Sequence, residues 1–108
     1  MVDRAITDIA KRYASLLRAE NIPVSRVVLF GSFAEGKGHQ WSDIDLLVVL
    51  DDGLAETEFD RLSTRLWSLA RKIDSRIEPL AISEDEWLHD ERTPIVSIIR
   101  EKGIDLAA

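Results

Sequence analysis

Asp43 and Asp45 stand one residue apart where a polar loop, "HQWS", gives way to the apolar run "DIDLLVVL". In an extended segment residues i and i+2 point the same way, so both carboxylates share a face while Ile44 points to the other. Carboxylates held that close repel each other, and burial beside a core strand sharpens the repulsion. A hard divalent cation between them relieves it. Magnesium takes oxygen ligands and usually binds through one or two carboxylates together with the phosphates of a substrate.

Separated from Asp43 by ten residues, Gly31-Ser32 closes another apolar run, "RVVLF". Glycine lets a phosphate approach the backbone, and exposed amides at the start of a helical turn attract anions. Ser32 adds a hydroxyl donor, and Phe33-Ala34-Glu35 has the composition to form such a turn. If the strands ending at Phe30 and starting at Ile44 are neighbours, the turn faces the aspartates across a narrow gap. A triphosphate held at Gly31-Ser32 would then share its metal ions with Asp43 and Asp45. A two-metal arrangement also needs a carboxylate near the attacking hydroxyl. Glu78 is the candidate, because it lies in a strand and shares a face with Leu80 and Ile82. Asp51 and Asp52 fall at the far end of the strand from Asp45.

These residues must be positioned by regular elements. Ile6, Ile9, Ala10, Tyr13, Leu16 and Leu17 recur at steps of three and four, a helical stripe that Asp3 can cap and Asn21-Ile22-Pro23 ends. Arg26 to Phe30 reads as a strand. Ile44 to Leu50 is a second strand, and its lack of alternation from Leu46 onward predicts a central position buried on both faces. Asp51-Asp52-Gly53 is a turn. Phe59, Leu62, Leu66, Leu69, Ala70 and Ile73 form a second helical stripe reaching to about Asp74, with Thr57 and Asp60 resembling a capping box. Arg76 to Ile82 reads as a third strand, placed at an edge or a bulge by Pro79, which cannot donate to a ladder. Ser83 with Glu86 starts a short helix through Trp87 and Leu88. Thr93-Pro94 starts a last helix with Ile95, Ile98 and Ile99 on its apolar side and Gly103 as its stop. Tyr13 and Trp67 are expected in the core, and Trp41 is expected to cover the edge of the fold. Lys37 and His39 read as solvated loop residues. The order α-β-β-α-β-α-α predicts one α/β domain over 1–108.

Composition narrows the function. Apolar residues make up 45% and charged residues 31% of the 108, enough for a folded core. A formal charge of −6, from 20 acidic and 14 basic side chains, argues against gripping nucleic acid through its phosphates. The chain has no cysteine, which excludes disulfides and thiolate metal sites. The longest apolar run, Leu46 to Leu50, is too short to cross a bilayer, and "MVDRAITDIA" lacks the pattern of a signal peptide. A cytoplasmic location with no membrane partner is expected.

Gly31-Ser32, ten residues, then Asp43-x-Asp45 between two strands resembles the signature of the minimal nucleotidyltransferases of the DNA polymerase beta-like superfamily. The likeness covers nearly the whole chain. It implies an α+β fold, a small mixed sheet with helices packed on it. It also implies transfer of a nucleoside monophosphate from an NTP, ATP as substrate, to a hydroxyl, with two Mg²⁺ ions. By position Asp43 and Asp45 would hold both metals, Glu78 would help the catalytic one, and Gly31 and Ser32 would bind the triphosphate. The chain departs from the pattern twice. Its third carboxylate is glutamate instead of the usual aspartate, and Glu35 stands where many relatives carry arginine.

Stand-alone domains of this kind resemble the antitoxins of modules whose toxin is a helical HEPN ribonuclease, in which the antitoxin AMPylates a tyrosine of the toxin. That reading competes with two others. One is transfer to a small molecule, as in aminoglycoside-modifying relatives, which usually carry an additional helical domain. The other is a binding module that neutralises its partner by contact alone.

Overall fold

The computed structural model describes residues 3–106. In chain order its elements are α1 (Arg4–Ala19), β1 (Val24–Phe30), β2 (Ile44–Leu50), α2 (Glu56–Ala70), β3 (Ile77–Ser83), α3 (Glu84–His89), α4 (Pro94–Lys102) and β4 (Ile104–Asp105). The four strands form one mixed sheet in the order β3-β2-β1-β4. β1 runs antiparallel to β2 and β4, and β2 runs parallel to β3.

Residue pattern accounts for this layout. β2 occupies an interior position, and every residue from Leu46 to Leu50 is buried. Its even-numbered residues, Ile44, Leu46, Val48 and Leu50, join the larger core cluster with Ile6, Tyr13 and Leu17 of α1 and Leu62, Leu66 and Leu69 of α2. Its odd-numbered residues Leu47 and Val49 turn to the opposite face and pack with Val28, Ile82, Trp87, Val96 and Ile99. Helices therefore cover both faces, which is what a strand without polar alternation requires. β3 lies at an edge, so the ladder bond that Pro79 cannot make is lost where it costs least.

The helix ends follow side-chain chemistry in two cases. Asp3 caps α1 by accepting the Ala5 N–H at 2.9 Å, and Asn21 follows at φ 60° in the left-handed region. Ser83 and Glu86 form a full capping box on α3, with Ser83 Oγ accepting the Glu86 N–H at 3.1 Å and Glu86 Oε1 accepting the Ser83 N–H at 3.2 Å.

Other expectations need correction. No side chain caps α2; it starts after Ala55, and Thr57 lies inside its first turn. The helix ends at Ala70, and residues 71–73 form a turn. Thr93 precedes α4 without capping it, because its hydroxyl donates instead to Asp90 Oδ2 at 2.7 Å. The buried side of α4 is Val96 and Ile99, while Ile95 and Ile98 are exposed. Trp67 is 45% exposed and lies off the core, whereas Tyr13 is buried with its hydroxyl donating to the Leu66 carbonyl at 2.8 Å. Three strand ends shift: β1 begins at Val24, and β3 runs from Ile77 to Ser83 rather than from Arg76 to Ile82. The short β4 was not expected. It is too brief to leave a periodic signal, and it exists because Gly103 turns the chain back along the open edge of β1. Among the described residues no helix is long and apolar enough to cross a membrane.

One polar device sets the start of β3 against the start of β2. Asp74 Oδ1 accepts the Arg76 N–H at 2.9 Å and Nε at 3.1 Å, and Oδ2 accepts Nη2 at 3.0 Å. The Arg76 carbonyl then accepts the Ile44 N–H at 2.8 Å. The hydrogen bonds from the Arg76 side chain hold the Asp74 carboxyl below the usual carboxylate range. A depressed folded-state pKa stabilises the fold above the unfolded value and loses that contribution as pH falls through the folded one. Asp74→Asn should therefore cost about 1 kcal/mol at neutral pH, with the deficit starting to shrink as pH falls below roughly 4 and disappearing below the depressed folded-state value. Urea unfolding across that pH range measures it, and a deficit unchanged in acid would contradict the assignment.

Candidate active site

The register of the sheet gathers the acidic residues. Asp45 pairs across β2–β3 with Glu78 and across β1–β2 with Phe30. Its parity places its side chain with Leu47 and Val49, on the face that carries Glu78, Leu80 and Ile82 of β3. Paired residues on adjacent strands lie within about 5 Å of each other. Asp43 precedes the strand on the same side and is exposed, as is Glu78, while Asp45 is half-buried. Desolvation pushes the Asp45 carboxyl up from its ordinary value, and the charges of Glu78 and then Asp43 push it further. Asp45 thus feels both other carboxylates through space.

The turn after β1 forms the opposite wall. Gly31 has φ 76°, a conformation that side chains other than glycine's rarely adopt. A Cβ there would also overlap Asp45 Oδ2 and sit only 3.1 Å from Asp45 Cγ. Both facts demand glycine, and the second puts the backbone of the turn directly against the carboxylate. The Glu35 N–H donates to the Gly31 carbonyl at 3.2 Å and the Lys37 N–H to the Ser32 carbonyl at 2.8 Å, closing the expected helical turn. Among the described residues, the N–H groups of Ser32, Phe33 and Ala34 donate to no backbone carbonyl or side chain. These are unpaired amides on a single turn, of the kind that can receive an anion.

The connecting loop is anchored at several points. Phe33 inserts into the larger core, and its ring lies against Gly38 so closely that a Cβ there would collide with it. The His39 N–H donates to Ser42 Oγ at 3.0 Å and the Ser42 N–H returns to the His39 carbonyl at 2.8 Å. Trp41 sits on this turn and is 80% exposed, so it covers no edge of the fold. Lys37 and His39 are solvated, as their loop position predicts. Asp51 and Asp52 lie at the other end of β2, where Asp52 Oδ1 accepts the Asp85 N–H at 2.9 Å.

The donor set fits a hard cation better than any softer metal, since it consists of carboxylates with neither thiolate nor imidazole among them. Among the described residues, no three His, Cys, Asp or Glu side chains are drawn together tightly enough to cage an ion unaided. Asp43, Asp45 and Glu78 are the carboxylates gathered on this side of the sheet, and Asp45 feels the charge of the other two.

The profile of the nucleotidyltransferase domain matches residues 10–106. The chain belongs to this family. No curated protein matches the chain. Among solved structures, the nucleotidyltransferase fold is shared by a putative nucleotidyltransferase from Sulfolobus solfataricus, 22% identical, with a TM-score of 0.63 over 94% of this chain and 78% of that one. A toxin–antitoxin protein with AMP-PNP is 25% identical, with a TM-score of 0.61 over 92% and 73%. An assembly of a tri-AMPylated Shewanella oneidensis HEPN toxin with an MNT antitoxin is similar at 20% identity and a TM-score of 0.52 over 95% and 72%. The mixed sheet with helices on it, expected from the Gly-Ser and Asp-x-Asp pattern, is the fold of this nucleotidyltransferase domain.

One feature of the site escaped the sequence. A cleft of about 110 Å³ opens beside Gly31, lined by Phe30, Ala34, Glu35, Ile95, Ile98 and Lys102, among others. Lys102 is 71 positions from Gly31 in the chain, and a lysine in the last turn of a helix ordinarily reads as a partner of the helix dipole.

The electrostatics give a direct expectation. Replacing Asp45 removes one of three mutually repelling charges, so Asp45→Asn should melt at a higher temperature than the wild type in EDTA. Millimolar Mg²⁺ should raise the wild-type melting temperature and leave the variant unmoved. Equal responses of the two proteins to Mg²⁺ would count against a cation at these carboxylates.

Proposed function

We propose that this nucleotidyltransferase is a Mg²⁺-dependent protein adenylyltransferase, moving AMP from ATP to a tyrosine hydroxyl of a HEPN-type toxin and acting in the cytoplasm as its antitoxin. The observation that carries the reading is the in-register pair Asp45–Glu78, with Asp43 beside it and the unpaired amides of the Ser32 turn opposite. Acid residues on one side and backbone donors on the other match the two parts of a metal–nucleotide triphosphate. The similarity to a toxin–antitoxin protein with AMP-PNP and to an AMPylated HEPN toxin with its MNT antitoxin supports the choice of nucleotide and acceptor.

In this reading Gly31 and Ser32 bind the triphosphate through backbone N–H groups and the Ser32 hydroxyl. Asp43 and Asp45 would hold the Mg²⁺ ions, with Glu78 as the third carboxylate on the acceptor side. When bound, the ions supply charge neutralisation at the transferring phosphoryl group and at the attacking oxygen. The tyrosine oxygen bonds to the α-phosphorus as its proton passes to water, and the bond to the bridging oxygen breaks. That electron pair leaves with pyrophosphate. The acidic chain, at −6, also complements a basic partner surface and would speed the encounter.

Intact-mass spectrometry of the partner after incubation with this protein, ATP and Mg²⁺ should register added AMP units on a tyrosine. Asp43→Asn/Asp45→Asn should give none. A silenced partner of unchanged mass would replace this reading with neutralisation by contact. Glu78→Gln should fold and bind ATP normally yet lose most transfer, roughly a hundredfold or more, because its carboxylate would be needed on the acceptor side mainly in the transition state. Full turnover in that variant would leave a site of two carboxylates.

A further inference from the structure

We infer that Lys102, at the end of α4, binds the pyrophosphate end of the nucleotide and stabilises it as the leaving group. The inference rests on the nucleotide site proposed above and extends it to a residue far away in sequence. Across the sheet the order is fixed: Glu78 on β3, Asp45 on β2, Phe30 at the end of β1 with Gly31 just after it, then Lys102 and Gly103 leading into β4. Neighbouring strands are spaced by about 4.8 Å, so this line spans the length of a triphosphate.

Direction follows from the chemistry. With the acceptor at Glu78, an in-line displacement sends the leaving oxygen to the opposite side of the phosphorus. Pyrophosphate must therefore depart away from β3, over the Ser32 turn and toward α4. As the acceptor oxygen bonds to the α-phosphorus and loses its proton to water, the bond to the β-phosphate oxygen breaks and its electron pair goes to pyrophosphate. Negative charge accumulates there, and no group on the carboxylate side can meet it.

Lys102 is the one cation lining the cleft beside Gly31, and it makes no ion pair or side-chain hydrogen bond among the described residues. The salt-bridged arginines Arg26, Arg61, Arg65 and Arg76 are all engaged elsewhere. Ile95 and Ile98 flank the cleft and are exposed, so Lys102 is the group that could draw an anion to that side. Glu35 lines the same cleft and opposes it.

Calorimetry with ATP, AMP and pyrophosphate, each with Mg²⁺, tests the assignment on the full chain. Lys102→Ala should weaken ATP and pyrophosphate by roughly tenfold, the scale of a hydrogen bond to a charged group, and leave AMP unchanged. Lys102→Arg should restore most of the loss. Glu35→Gln should tighten ATP binding, because it removes the opposing charge. Lys11→Ala, on α1 across the sheet, removes the same net charge as a control and should change nothing. Wild-type affinity for ATP in Lys102→Ala, or an equal loss in Lys11→Ala, would overturn the role of Lys102 while the nucleotide site stood. A wild-type protein that binds neither ATP nor pyrophosphate would instead remove the nucleotide site, and this inference with it.

Discussion

Three negative charges are held together at the end of a buried strand, and the rest of the structure has to contain that repulsion. Asp45 bears most of it, being half-buried and facing both Glu78 and Asp43. A charge in such a place costs stability unless something opposite in sign is brought to it. The fold accepts the cost because β2 cannot move. It lies between two strands, and its apolar residues are fixed on both faces. Rotating Asp45 into solvent would shift the parity of the strand and expose the leucines and valines that follow it.

Helix placement decides which part of the sheet remains open. α1 and α2 cover one face with the larger cluster, which includes the fully buried Tyr13, Leu17 and Leu66. The other face is covered by the smaller cluster under α3 and α4. Trp87 closes this cluster, with Arg26 stacked over its ring at 5.6 Å. Glu78 and Leu80 on the edge strand remain exposed on this face. An asymmetric sheet of this kind is packed from behind on one face and leaves the β3 side of the other face open. A large partner can reach such a face, whereas the cleft beside Gly31 is of side-chain size.

The loop between β1 and β2 carries Gly31, Ser32 and Asp43 yet behaves as part of the core. Phe33 plugs it inward, Gly38 lets it close over that ring, and the Gln40 carbonyl accepts from Arg76 at 3.5 Å. Arg76 is in turn held by Asp74. A chain of local contacts thus ties the turn after β1 to the start of β3, the strand that carries Glu78. Trp41 stands outside this chain of contacts, presented to solvent by the hydrogen-bonded turn at His39–Ser42.

Wherever local spacing carries the information, the sequence alone was enough. The stripe of α1, the span of β2 from Ile44 to Leu50, the capping box at Ser83 and the edge position of β3 are all written in periodicity or in one residue's backbone chemistry. So was the grouping of Gly31, Ser32, Asp43 and Asp45, because two strands joined by a short loop leave few ways to arrange their ends. Tertiary structure decided the rest. Which side of α4 is buried could not be read, since Ile95, Val96, Ile98 and Ile99 are equally apolar and only the position of β1 selects Val96 and Ile99. Trp67 fitted a helical stripe but had no neighbour waiting for it. The pairing of β4 with β1, which brings Lys102 beside Gly31, depends on chain closure over more than seventy residues. Periodicity specifies a face, but only packing specifies what that face meets.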